Sequence, residues 1–344
     1  MDTLPIRKNY AELALMSSES HMKNLYLHIG APKTGTTAIQ SFVDRNRRLL
    51  STVFDISIPN PLSHRRAVAM YVYATQKVSQ RKREKLCIES LEEFNLEYEA
   101  RISALRDSLA TTTAICSNEL LFALNKAAIN RFKNSISSVF SSSHVILYLR
   151  RQDLLETAAF LQAYKGGYDQ LPAFNVVLKR RRPGYLAVIE AWEEIFGSKK
   201  VSTFLYEDVI REGNDIIPHF MRVVGVDDLS NFSPATKNNA SWGFDQACAA
   251  RVIRRNRKDA SIDRIGAFVE TIKPGPRYPV RRAEAVTFYR SFAEENEKIR
   301  RRYFPHKKSL FEEDFSIYPE AFDMEAARNK YSASLLLEQY NAGP

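Results

Sequence analysis

Short runs of apolar residues alternate along the chain with longer stretches whose apolar positions recur every three or four residues. Runs at 25–29, 112–117, 144–149 and 201–206 read as strands, with a weaker one at 54–58. Helical spacing covers 38–50, 65–79, 88–109, 127–140 and 153–164, followed by 184–196 and 216–224. Parallel strands need crossovers, and helices are the usual crossover. The pattern therefore predicts an α/β fold: a central, mostly parallel sheet flanked by helices. Gly197 stands where a helix-terminating glycine belongs. Past Val226 the strand signals fade. This divides the chain into a polar N-terminal tail at 1–22, an α/β core at 23–240 and a helical part at 241–344. That last part, broken by prolines and glycine at 273–279, belongs to the same domain or forms a lid. Met22, three residues before the first strand, is a second candidate start.

The first strand runs straight into a polar turn: residues 25–37 read Leu-Tyr-Leu-His-Ile-Gly-Ala-Pro-Lys-Thr-Gly-Thr-Thr. A strand, a tight turn and a helix N-terminus leave backbone N–H groups without helical partners, and the helix dipole favours an anion there. A Walker A loop requires Gly, four residues, then Gly-Lys-Ser/Thr. Gly30 and Gly35 have that separation, but Thr36 holds the lysine position and Lys33 lies inside the loop. This is a phosphate cradle of another kind.

Other strands also end in polar groups: Ser117-Asn118-Glu119, Arg150-Arg151 and Tyr206-Glu207-Asp208. In open parallel sheets, ligands gather at the carboxyl ends of the strands. A phosphate loop, a carboxylate and two arginines on one rim imply a polyanionic donor and a hydroxyl or amine acceptor. Transfer to a hydroxyl needs a proton acceptor. Glu119 is the first candidate base, or alternatively a carboxylate stabilising a helix start. His64, in a polar break before a helix, is the rival base, while His28 lies within a strand and reads as a buried core histidine.

A net charge of +10 on 344 residues points to a polyanionic partner: nucleic acid, anionic lipid, or a phosphorylated or sulfated small molecule. The basic runs at 179–182 and 251–258 either hold an acidic acceptor such as a uronic-acid glycan or form solvated faces. Neither is interleaved with aromatics, which disfavours nucleic acid. Contact with a membrane surface remains open through the anionic lipid. The three isolated cysteines suggest a reducing compartment, with the cytoplasm as the expected location. The six scattered histidines lack zinc-ligand spacing, and no metal is expected.

Taken in order, these motifs resemble the sulfotransferases that use 3′-phosphoadenosine 5′-phosphosulfate (PAPS), in their bacterial carbohydrate-type branch. The likeness runs over roughly residues 25–255. Gly30-Ala-Pro-Lys-Thr-Gly-Thr-Thr37 resembles the family's 5′-phosphosulfate loop. The resemblance implies that Gly30, Pro32, Lys33, Thr34, Gly35, Thr36 and Thr37 hold that group, with Lys33 neutralising the oxygen that links phosphate to sulfur. Leu147-Tyr-Leu-Arg-Arg151 and the following helix resemble the 3′-phosphate element, implying Arg150 and Thr157, with Arg151 as substitute if the register moves by one. Phe204-Leu-Tyr-Glu-Asp208 resembles the Tyr-Glu-Asp segment and places Tyr206 near adenine. Asn238-Asn-Ala-Ser241 is similar to an Asn-x-Ser element of the closing region, implying Asn239 and Ser241. The family would transfer sulfate from PAPS to a carbohydrate or glycolipid, without a metal.

Two other classes compete. A P-loop kinase needs a threonine after the loop lysine and an aspartate ending a neighbouring strand. Thr36 does not follow a lysine, and the 117–119 strand end has no aspartate. A non-catalytic binder of anionic glycan or nucleic acid would rely on the basic runs alone.

Overall fold

Residues alternate strictly between two buried faces along the central strand. Leu25, Leu27 and Ile29 enter one hydrophobic cluster with Ala114, Cys116, Val145, Leu147 and Leu149. The opposite face carries Ile115, Ile146 and Tyr148. Burial on both faces is the condition of a parallel sheet, because its crossover helices cover each side. The computed structural model describes residues 23–165, 184–213, 215–234, 242–330 and 333–342.

Among them are five strands, β1 (Asn24–His28), β2 (Ile56–Ser57), β3 (Thr113–Ser117), β4 (Ser142–Leu149) and β5 (Val201–Leu205). They pair in the order β2-β3-β1-β4-β5, and every pairing is parallel. The predicted α/β class is therefore what the chain adopts. β1 lies between β3 and β4, with His28 opposite Ser117 on one side and Ile146 on the other. The chain leaves β1 towards β2 and β3, then crosses to β4 on the far side. The carboxyl end of β1 is thus the topological switch point, where open α/β sheets bind ligands.

The helices Ala67–Thr75, Leu91–Ser103, Lys126–Ile136 and Tyr185–Phe196 cover the first face. Thr36–Arg45, Arg47–Val53 and Ile216–Val223 cover the second. Local chemistry sets several of their starts: Ser90, Asn125 and Asp215 each accept a backbone N–H at a helix N-terminus.

Several expected elements differ in extent. The 38–50 helix is two helices, split at Asn46, whose side chain bonds the Phe42 carbonyl and both backbone groups of Ser233. The 54–58 strand shrinks to two residues, since Pro59 and Pro61 remove the next ladder donors. Two short helices, Gln80–Leu86 and Tyr206–Gly213, were not anticipated; the first buries nothing and so has no apolar period.

Residues beyond 241 include the helices Phe244–Asn256, Ile262–Glu270, Arg282–Arg290 and Ala293–Tyr303, with the expected break before Arg282. The stretch 304–323, within a part read as mainly helical, is not helical. Leu310 and Phe311 enter the core beside the sheet, and Arg151 takes the carbonyls of Glu312 and Asp314, each at 2.7 Å. Among the described residues no helix is long and apolar enough to cross a membrane.

Candidate functional site

The turn after β1 extends the sheet ladder before it curls. Ile29 N–H donates to Ile146 at 3.1 Å, Tyr148 N–H to Gly30 at 2.8 Å and Ala31 N–H to Tyr148 at 2.9 Å. The buried Thr34 hydroxyl then closes the turn on the Ala31 carbonyl at 2.6 Å. Lys33 (φ 64°) and Gly35 (φ 82°) both adopt the left-handed region. A Cβ at Gly35 would also lie 2.8 Å from the Ile216 side chain, so glycine is demanded twice over. At Gly30, also at positive φ (103°), an added Cβ would lie 3.2 Å from the Pro32 nitrogen, with the Glu119 backbone in ordinary contact. The helix Thr36–Arg45 begins with no side-chain cap, and the buried Thr36 hydroxyl has no hydrogen-bond partner. An anion would satisfy both needs.

Three charged groups converge on Lys33. Its ammonium donates to the Gln162 side chain. Burial holds its pKa below the ordinary lysine value; Arg150 and Lys165 act in the same direction, and Glu119 opposes them. Arg150 donates to the Lys33 carbonyl at 2.6 Å and is held by the Tyr185 hydroxyl on its own carbonyl at 2.7 Å. Its Nε lies 3.5 Å from Glu207 and is a buried donor without an acceptor. Burial raises the Glu207 pKa, which the Arg150 charge partly offsets. Tyr206 opens a helix rather than closing β5, and its ring centre lies 5.3 Å from the Arg150 guanidinium.

Arg151 is committed elsewhere. Only 4% exposed, it forms a two-pronged pair with Asp153 at 2.8 and 2.9 Å, and Asp153 also accepts from Tyr318 at 2.7 Å. The register thus leaves Arg150 on the rim. Thr157 is buried and donates its hydroxyl to the Asp153 carbonyl at 2.8 Å, so its proton is spent inside its own helix. Asn239, Ser241 and the basic run 179–182 lie outside the described residues.

The two candidate bases stand in different settings. Glu119 follows Asn118, whose side chain caps the short turn by accepting from Leu120 at 3.0 Å, leaving the carboxylate out of that role. His64 lies 3.2 Å from Asp44. Burial lowers its pKa against the pull of Asp44, so the imidazole is neutral near pH 7. The pair lines an open groove of about 630 Å³ together with Thr37, Gln40, Ser41, Arg45 and Arg65. Gln40 donates to the Ser117 carbonyl at 2.9 Å, tying this groove to the strand end that carries Glu119. His28 is fully buried as expected, with Nδ1 2.9 Å from the Ser117 hydroxyl, but its Nε2 has no partner. Among the described residues no three His, Cys, Asp or Glu side chains gather as a metal site.

Gln162 and Lys165 lie beside Lys33, and sequence reasoning missed both; Glu207 was marked only as part of the polar end of its strand. The first two share a helix face at a spacing of three residues, yet nothing local shows that this face meets the loop.

No known family model matches the chain. It is 22% identical over 225 residues to an uncharacterized protein of Archaeoglobus fulgidus, a match covering 59% of this chain and 58% of that protein. The chain thus spans less than two thirds of that relative's length. Among solved structures, it is similar to a sulfotransferase from Alicyclobacillus acidocaldarius, with 12% identity and a TM-score of 0.39 over 71% of this chain and 95% of that one. It is also similar to the sulfotransferase domain of the Synechococcus PCC 7002 olefin synthase, with 11% identity and a TM-score of 0.31 over 80% and 96%. A sulfotransferase domain from the curacin biosynthetic pathway gives 9% identity and a TM-score of 0.32 over 79% and 97%. Likenesses this distant bear on neither activity nor substrate.

Proposed function

We propose that this chain is a PAPS-dependent sulfotransferase acting on a hydroxyl or amine of a carbohydrate or glycolipid. The observation that carries the reading is the join between two anion sites: Arg150 donates to the Lys33 carbonyl while its buried Nε, 3.5 Å from Glu207, has no hydrogen-bond acceptor among the described residues. A donor with phosphates at two positions suits a loop and an arginine held side by side. The unpartnered Thr36 hydroxyl and uncapped helix fit the 5′-phosphate. Thr34, Gly35 and Thr37 complete that cradle, Gly30 and Pro32 shape it, and Tyr206 lies beside the arginine.

PAPS supplies an activated sulfuryl group. The bond between sulfur and the phosphate-linking oxygen breaks as a bond from the acceptor oxygen to sulfur forms. Glu119 takes the acceptor proton. Lys33 neutralises the charge gathering on the oxygen left with phosphate, the kind of contact commonly worth about 3–4 kcal/mol. His64 in its groove is the second candidate base. Lysine and arginine supply the positive charge that a metal would otherwise bring. The three free cysteines suit a reducing cytoplasm, and a glycolipid acceptor would bring the chain to a membrane surface.

Calorimetry with 3′-phosphoadenosine 5′-phosphate against ATP and ADP tests the reading. Tight binding of the first alone is expected. Magnesium-dependent turnover of ATP would overturn it in favour of a phosphotransferase.

A further inference from the structure

The helix Gln152–Lys165 is buried on two sides. Leu155 faces the sheet, whereas Phe160 and Tyr164 pack on Phe244, Ala247 and Cys248 of the helix Phe244–Asn256. Its last turn therefore sits between the phosphate loop and the C-terminal helices. Gln162 in that turn receives the Lys33 ammonium. Three residues on, the Lys165 ammonium lies 3.6 Å from the centre of the Trp242 ring.

The facing helix adds further positive charge. Arg251 lies 4.8 Å from the centre of the Tyr164 ring. Arg254, one turn along, reaches Lys165 closely enough that its charge adds to burial in lowering the lysine pKa. The Arg254 Nε is buried and has no acceptor among the described residues. Among the described residues neither Lys165 nor Arg254 meets a carboxylate. Two half-buried like charges repel each other, and this costs stability unless a ligand offsets it.

The place of this pair relative to Lys33 indicates which ligand it serves. Arg150 meets Lys33 at its main-chain carbonyl, whereas Gln162, on the helix face it shares with Lys165, receives its ammonium. The ammonium is the part assigned to the departing oxygen, so the second cluster lies towards the reacting atoms rather than the nucleotide. We propose that Lys165 and Arg254, with Trp242 bracing the lysine, form an anion subsite that binds a carboxylate on the acceptor and selects acidic, uronic-acid-containing glycans. The assignment to an acceptor rests on the sulfotransferase reading.

Calorimetry of the full chain with an unsulfated uronic-acid oligosaccharide and its carboxyl-reduced counterpart provides the test, without nucleotide present. Wild type should bind the acidic form at least 10-fold more tightly. Arg254→Glu should remove that preference and Arg254→Lys should restore most of it, while 3′-phosphoadenosine 5′-phosphate binding stays within 2-fold of wild type. Equal affinity of wild type for the two oligosaccharides, or binding of neither, would overturn the subsite. Loss of nucleotide binding in Arg254→Glu as large as in Arg150→Ala would also overturn it by assigning the cluster to the donor. A failed sulfotransferase reading shows differently: wild type would not bind the nucleotide at all, whatever it does with the glycan.

Discussion

The Arg150 guanidinium donates to the main-chain carbonyl of Lys33 at 2.6 Å, so the end of β4 holds the loop that follows β1. The two residues are 117 positions apart in sequence. The bond fixes the loop carbonyl and leaves the arginine's Nε 3.5 Å from Glu207, without a hydrogen-bond acceptor among the described residues.

Arg150→Ala should weaken binding of 3′-phosphoadenosine 5′-phosphate by about 10- to 150-fold, the range of one or two charge-assisted hydrogen bonds. Arg150→Lys should recover only part, because an ammonium cannot present a planar fork. Titration calorimetry measures this. Unchanged affinity in Arg150→Ala would remove the second phosphate site from the proposal.

The two candidate bases separate by mutation. Glu119→Gln should lower turnover by about 10²- to 10⁴-fold with nucleotide affinity retained, as expected for loss of a general base. Lys33→Ala should lower turnover by about 10²- to 10³-fold and also weaken the nucleotide. If Glu119→Gln turns over normally while His64→Ala is inactive, the base is His64, assisted by Asp44 at 3.2 Å.

Gly35→Ala is expected to destabilise the chain by about 1–3 kcal/mol, combining strain at positive φ with overpacking. Its φ is 82°, and the new methyl would meet Ile216 at 2.8 Å. Urea unfolding monitors the change. An unaltered midpoint would mean the turn has room that this geometry denies it.

Breaking the Arg151–Asp153 pair should cost more. Asp153→Ala strands a guanidinium that is 4% exposed, and losses of about 3–5 kcal/mol accompany such changes. Tyr318→Phe removes one hydrogen bond to the same carboxylate, worth about 1.5–3 kcal/mol because the acceptor is charged. If Asp153→Ala unfolds at the wild-type urea concentration, the anchor between β4 and residues 312–318 contributes nothing.

His28 links stability to pH. Burial lowers its pKa from 6.5 to about 3. The folded chain keeps it neutral while the unfolded chain protonates it below 6.5, so unfolding takes up a proton between those values. Stability from this group is complete above pH 6.5 and falls as pH drops towards 3, by roughly 4–5 kcal/mol in all. Urea unfolding at several pH values should show that slope reduced by about one proton in His28→Gln. Equal slopes would show that the imidazole charges freely in the fold.

The loop and its strand were legible because they are local. Apolar alternation marks β1, and a turn needing left-handed backbone at position 35 marks itself with glycine. The rim was legible at one remove: once the strands read as parallel, Glu119, Arg150 and Tyr206 had to share an edge. The sequence favoured Arg150 and kept Arg151 as a substitute, because adjacent residues differ only in which face of the sheet they leave. It read 241–344 as mainly helical without marking the non-helical 304–323, since nothing local shows that Arg151 will take the carbonyls of Glu312 and Asp314.

By itself, then, the sequence marked most of the elements, the mostly parallel α/β class and the polar turn around Lys33, all of which follow from hydrophobic period and turn chemistry within a few residues. Tertiary structure alone decided that Arg151 takes the Glu312 and Asp314 carbonyls, that Gln162 meets the Lys33 ammonium, and that Lys165 packs on the Trp242 ring. Those outcomes depend on packing between segments far apart in the chain. Which polar group finds a partner is settled only when the helices dock.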